Sequence, residues 1–130
     1  MEDDRFRQTG SKYEHEEPIA FFLYKPNANI NEDWNKIHPE LSNIFYVPES
    51  LFMIGSNFAK SKALEIFSSI DFFQTQSFNK QDCLQLISEL NHLREADSSQ
   101  DFQEFINILV DLATQCTESK DELELYATGP

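Results

Sequence analysis

The stretch that most constrains this chain's fold runs from Ser77 to Ala127, where two apolar stripes at helical spacing precede an alternating segment. From Asn79 to Glu95, Cys83, Leu86, Ile87, Leu90 and Leu93 share one face, because side chains three and four apart align on a helix. From Gln100 to Glu118 the stripe is Phe102, Phe105, Ile106, Leu109, Leu112, Ala113 and Cys116. Leu123-Glu-Leu-Tyr126 then alternates as a half-buried strand does. Ser77 or Asn79 is expected to cap the first of these helices, and Ser98 with Asp101 approximates a capping box for the second.

Residues upstream supply strands. Ile19 to Lys25 is β-branched and aromatic throughout, and its unbroken apolar run implies a strand covered on both faces. Pro26-Asn-Ala-Asn29 is turn chemistry. Between Asn31 and Ser42, Trp34, Ile37 and Leu41 have helical spacing, but Pro39 interrupts it, so a short helical turn and a loop are expected. Ile44–Val47 and Ser50–Ile54 read as two strands of a hairpin around Pro48. A helix is expected over Asn57–Ile70, capped by Ser56 and buried through Ala59, Ala63, Ile66, Phe67 and Ile70. Asp71–Gln76, with Phe72 and Phe73, reads as a short strand or a hydrophobic loop. Residues 1–17 read as a flexible acidic and polar arm whose docking is left open. Residues 18–130 read as a single α+β domain, with a small, mostly antiparallel sheet of three to five strands and about three amphipathic helices.

A chain of 130 residues can bury roughly two thirds of its unfolded surface, and 40% hydrophobic content with twelve Phe is enough for a core. No apolar run exceeds the six residues Ile19–Tyr24, far below the ~20 of a membrane span. Met1-Glu-Asp-Asp has no apolar stretch behind it, so neither a signal peptide nor a membrane association is expected and the reading is cytoplasmic. Cys83 and Cys116 both fall on apolar faces, as small buried residues of a reducing compartment do. Two Cys without neighbouring His are too few for a zinc site.

Net charge is the strongest global signal. Seven basic and eleven acidic side chains lie in residues 1–70, three and twelve in residues 71–130, so the two parts carry −4 and −9 of the total −13. Such a field repels nucleic acid and anionic membrane and attracts basic protein surfaces; it also serves solubility alone.

Catalytic and cofactor motifs fare poorly. Gly55-Ser-Asn-Phe-Ala-Lys60-Ser61 resembles a phosphate loop in context, but its interval is one residue short and Ala59 stands where glycine is needed. A capped helix with two lysines opposing its dipole in the first turn, Lys60 and Lys62, accounts for it. His15, His38 and His92 form no His-Glu-x-x-His pair, and no Gly-x-Ser-x-Gly marks a nucleophile. No enzyme activity, metal or cofactor is therefore expected.

The acidic positions of the last helix are better ordered. At about 100° per residue, Glu104, Asp111 and Glu118 line up opposite the face centred on Leu109, and Asp121, Glu122 and Glu124 follow. Between Gln100 and Lys120 there is no basic residue, so the i,i+4 ion pairs of an ordinary exposed helix are missing. Glu104, Asp111, Glu118, Asp121 and Glu122 are the candidate partner-binding residues, set against a merely solvated face.

The helix Phe102-x-x-Phe-Ile-x-x-Leu109-x-x-Leu-Ala113-x-x-Cys116, with its acidic connector and Leu123-x-Leu-Tyr126, resembles the end of bacterial immunity proteins. These are the small antidotes of polymorphic and contact-dependent-inhibition toxins. The resemblance covers about thirty residues and the overall acidity. It implies binding to a cognate toxin with a basic surface, commonly a nuclease, whose cleft or exosite would be occluded while acidic groups speed association. An acidic secretion chaperone or adaptor and a DNA-mimic inhibitor are the alternatives, and the chain is expected to be a monomer or homodimer.

Overall fold

The computed structural model describes all 130 residues, and one sheet collects strands from nearly the whole length of the chain. The strands are β1 (Glu2–Asp3), β2 (Pro18–Tyr24), β3 (Ile44–Pro48), β4 (Thr75–Phe78) and β5 (Glu124–Thr128), in the order β1-β3-β2-β5-β4. The helices are α1 (Ile30–Ile37), α2 (Glu49–Ser61), α3 (Glu65–Ser68), α4 (Lys80–Leu93) and α5 (Gln100–Glu118), with short 3-10 turns at Arg5–Arg7, His38–Glu40 and Arg94–Ala96. The chain is α+β as expected, with five α-helices instead of about three. The sheet is mixed rather than mostly antiparallel, because β1 runs parallel to β3.

Strand β2 sits at the centre, antiparallel to β3 on one side and β5 on the other. Its alternate side chains serve two cores, which is why its sequence is apolar at every step. Ile19 and Phe21 join Phe45, Val47, Leu125 and Ala127 under α2, α4 and α5. Ala20 and Phe22 face the other way, with Ile44 and Tyr126, beneath Ile30 and Ile37 of α1. There Phe22 stacks on Tyr126 with ring centres 5.5 Å apart, and Trp34 tilts against it at 5.8 Å.

The expected third strand and hairpin are replaced by α2. Leu51, Phe52, Gly55, Ser56 and Ala59 are its buried positions, a helical spacing obscured in the sequence because two stripe members are Gly and Ser. Gly55 is needed there: a Cβ would lie 3.1 Å from the Phe67 ring. Ser56 is therefore an interior, buried residue and not a helix cap. The helix expected over 57–70 is cut in two. Ala63 takes φ +54, and Leu64 N–H donates to the Ala59 carbonyl at 2.9 Å, the six-to-one bond of a Schellman ending. Lys60 thus lies in the last turn of α2, where a cation favours the helix dipole instead of opposing it.

Between residues 31 and 42, α1 completes two turns and gives way at His38 to a 3-10 turn whose second residue is Pro39. Of the 71–76 segment, residues 71–74 form a loop and the strand starts at Thr75. Asn79 caps α4 in a reciprocal box with Asp82. Ser99, not Ser98, caps α5, accepting from Phe102 N–H at 3.3 Å.

The first seventeen residues dock. Beyond β1, Phe6 and Tyr13 are buried against the main core, with Phe6 6.2 Å from Phe45 and edge-on to Tyr13. These two apolar side chains are seven apart in a polar stretch, a signal too sparse for periodicity to register. No helix is long and apolar enough to cross a membrane.

Candidate partner-binding surface

Helix α5 positions the acidic candidates. Its stripe from Phe102 to Cys116 is buried, with Phe102, Phe105, Ile106, Leu109, Ala113 and Cys116 fully so, which fixes the helix's rotation and turns the opposite residues outward. The five candidates do not share one environment. Glu104 is half-buried and engaged: the Arg5 guanidinium donates to it at 2.6 Å and to Asp3 at 2.8 and 3.0 Å. Bonds to both carboxylates raise the Arg5 pKa, and those from Arg5 hold Asp3 below the usual aspartate value. One turn earlier, Asp101 accepts from the Tyr13 hydroxyl at 3.0 Å; burial, then this bond, push the Tyr13 pKa upward. The docked arm thus occupies the first part of the acidic line.

Asp111, Glu118, Asp121 and Glu122 are exposed and have no salt-bridge partner. Asp111 and Glu118 lie two turns apart on α5, and Asp121 and Glu122 follow in the turn leading to β5. Two cations lie near the helix end: Lys120 is exposed in the connector itself, and Lys80 donates its ammonium to the Ser119 carbonyl, where a positive charge also suits the end of the α5 dipole.

Glu118 additionally lines a groove of about 540 Å³ with Leu23, Tyr24, Glu40, Leu41 and Leu123. The Tyr24 hydroxyl donates to Glu40 at 2.5 Å, which fixes that carboxylate and raises the tyrosine pKa. Two carboxylates beside an apolar floor, with no basic lining residue, match the stem and head of a lysine or arginine. Glu40 and Tyr24 were not among the sequence candidates. They come from the other side of the sheet's end, and nothing in their local pattern ties them to Glu118.

The chemistry-bearing residues elsewhere are otherwise employed. The 55–61 segment lies within α2, so its backbone N–H groups are spent in the helix and none is free to wrap a phosphate. The three histidines stand apart, beside Glu14, Glu2 and Glu95 respectively. Cys83 and Cys116 are buried free thiols on α4 and α5 and interact with each other; the pairing raises the pKa of Cys83 and lowers that of Cys116. Compared with family models, curated proteins and solved structures, the chain matches none of them.

Proposed function

We propose that this chain is a binding protein that neutralises a basic partner, in the manner of an immunity protein acting on a cognate toxin such as a nuclease. One observation carries the reading: Asp111, Glu118, Asp121 and Glu122 are exposed and unpaired along α5 and its connector, with Lys120 the one cation among them, on a chain of net charge −13. Unpaired carboxylates of like charge repel one another by a few tenths of a kcal/mol per close pair, a cost that a cationic partner would relieve. Glu104, held by Arg5, is assigned to securing the arm, and the contact surface is drawn instead towards Glu40 and Glu118.

Acidic groups of this kind act mainly on the association rate, by steering, and that rate falls as salt screens them. The test is co-expression with the product of the neighbouring gene, followed by size exclusion and a growth-rescue assay. A one-to-one complex and rescued growth are expected, and Asp111→Lys with Glu118→Lys should lower the association rate and flatten its salt dependence. Absence of a complex overturns the reading. Binding instead to several unrelated DNA-binding proteins would move the chain to the DNA-mimic class.

A further inference from the structure

The outer edge of β4 is open. Gly129 N–H donates to the Gln74 carbonyl at 3.0 Å, and the register continues through Gln76–Ala127 and Phe78–Leu125. In an antiparallel ladder, hydrogen-bonded pairs alternate, so Gln74, Gln76 and Phe78 direct their backbone groups to β5. The N–H and C=O groups of Thr75 and Ser77 therefore point away from the sheet, and they have no partner there. Edge strands are usually shielded by lysine, proline, a bulge or extreme shortness. β4 has the sequence Thr-Gln-Ser-Phe and an uninterrupted register, whereas the opposite edge, β1, is only two residues long.

A second observation lies beside this edge. Phe73 is 76% exposed, the most exposed aromatic residue of the chain, yet its position is set by the turn that carries it. Its N–H donates to Asp71 Oδ1 at 2.9 Å, Asp71 N–H donates to Gln76 Oε1, and Gln76 Nε2 donates to the Ser69 carbonyl, both at 2.6 Å. The ring stands edge-on to buried Phe72 at 5.3 Å. An aromatic already ordered in this way loses little entropy when covered, the property of an interface anchor.

We propose that β4 is a strand-addition site, where an extended basic segment of a partner polypeptide joins the sheet as a sixth strand, pairing with Thr75 and Ser77 and covering Phe73. Main-chain pairing supplies the attachment in this mode of recognition. Charge sets the partner's sign. Asp71 is exposed at one end of the strand, where Lys60 lines the same pocket as Phe73, and Asp82 and Glu124 flank the other, while the ammonium of Lys80 is turned to Ser119. The three carboxylates outnumber Lys60, and the chain's −13 adds to the same sign. A second copy, itself at −13, is the wrong occupant for the same reason. This site is separate from the carboxylates of α5 and stands or falls independently of them.

The probe is a capped peptide of three Lys-Val repeats at millimolar concentration, followed through backbone amide resonances. Shifts and exchange protection centred on Thr75 and Ser77 are expected. Ser77→Pro should weaken binding at least tenfold with unchanged circular dichroism, since that N–H has no internal partner and proline is tolerated at such an edge. Phe73→Ala should weaken it several-fold, and a peptide N-methylated at alternate residues, which requires no change in the protein, should not bind. The inference is overturned if the shifts centre elsewhere, if the N-methylated or a Glu-Val peptide binds equally, or if Phe73→Ala has no effect. A concentration-dependent dimer abolished by Ser77→Pro would place a second copy on the edge and overturn it too.

Discussion

The carboxylate of Glu89, on α4, accepts the backbone N–H of Phe67 at 2.8 Å, and its other oxygen takes the N–H of Ile66 at 3.1 Å. These are donors of the first turn of α3, which has no capping side chain of its own because Leu64 stands at the cap position. A side chain twenty-two residues away does what a local Ser or Asp does elsewhere, and Gln85 holds it with a further bond at 2.9 Å. Glu89 is 6% exposed, so these N–H groups have little access to water and depend on its carboxylate. Glu89→Ala is expected to cost about 2–4 kcal/mol, read as a lowered urea midpoint, because buried donors would lose their acceptor. Glu89→Gln, which keeps one acceptor oxygen, should retain part of this.

The arm is held by two contacts of unequal weight. Arg5 and Glu104 are 46% and 38% exposed at their side chains, so their ion pair contributes at most about 1 kcal/mol and less in high salt. Phe6 is 5% exposed in the main core, and truncating such a side chain costs about 3–5 kcal/mol. Phe6→Ala should therefore release residues 1–17 to rapid amide exchange and proteolysis, whereas Arg5→Ala should leave them docked. Equal effects of the two variants would show that charge holds the arm.

All four tyrosines have raised pKa values: Tyr46 to about 12, through burial and its bond to Glu2, with Tyr13, Tyr24 and Tyr126 also above 10. A raised folded-state value means stability that is fully present below pH 10 and lost as the pH rises through the folded-state value. The phenolate absorbance should rise at higher pH than that of free tyrosine and complete its rise together with unfolding. Tyr13→Phe should remove part of this alkaline dependence while leaving the neutral circular dichroism unchanged.

Cys83 and Cys116 have 0% exposure, and their sulfurs lie 3.8 and 3.4 Å from the Phe78 and Leu123 carbonyls respectively. Reactivity requires thiolate character and access together. Despite the lowered pKa of Cys116, a bulky aromatic disulfide reagent should label neither thiol in native protein, and both at the rate of unfolding in urea. Rapid labelling of one thiol without denaturant would show that α4 and α5 separate locally.

The helices α4 and α5 were legible from residue spacing because every member of their stripes is visibly apolar. In α2 the same spacing runs through Gly55, where Phe67 approaches closely, and through buried Ser56, and the surviving Leu-Phe-Met-Ile run imitates a strand. The acidic line on α5 could be placed by rotation alone. Its division could not: Arg5 lies ninety-nine residues from Glu104, and Glu40 meets Glu118 only across the end of the sheet. Pairing of β1 with β3 was likewise invisible, since a two-residue strand has no period to read.

The position of β5 has a kinetic consequence. It is the last strand in sequence, yet it lies between β2 and β4, and it is the only bridge between them. During synthesis β2 and β3 can pair early, but β4 has no neighbour until residues 124–128 leave the ribosome. Contacts across more than a hundred residues, such as Phe21 with Ala127, close large loops and slow folding. Until then the apolar faces of α4 and α5 must wait uncovered on the side that β5 will fill, so the nascent chain is at its stickiest just before residues 124–128 emerge.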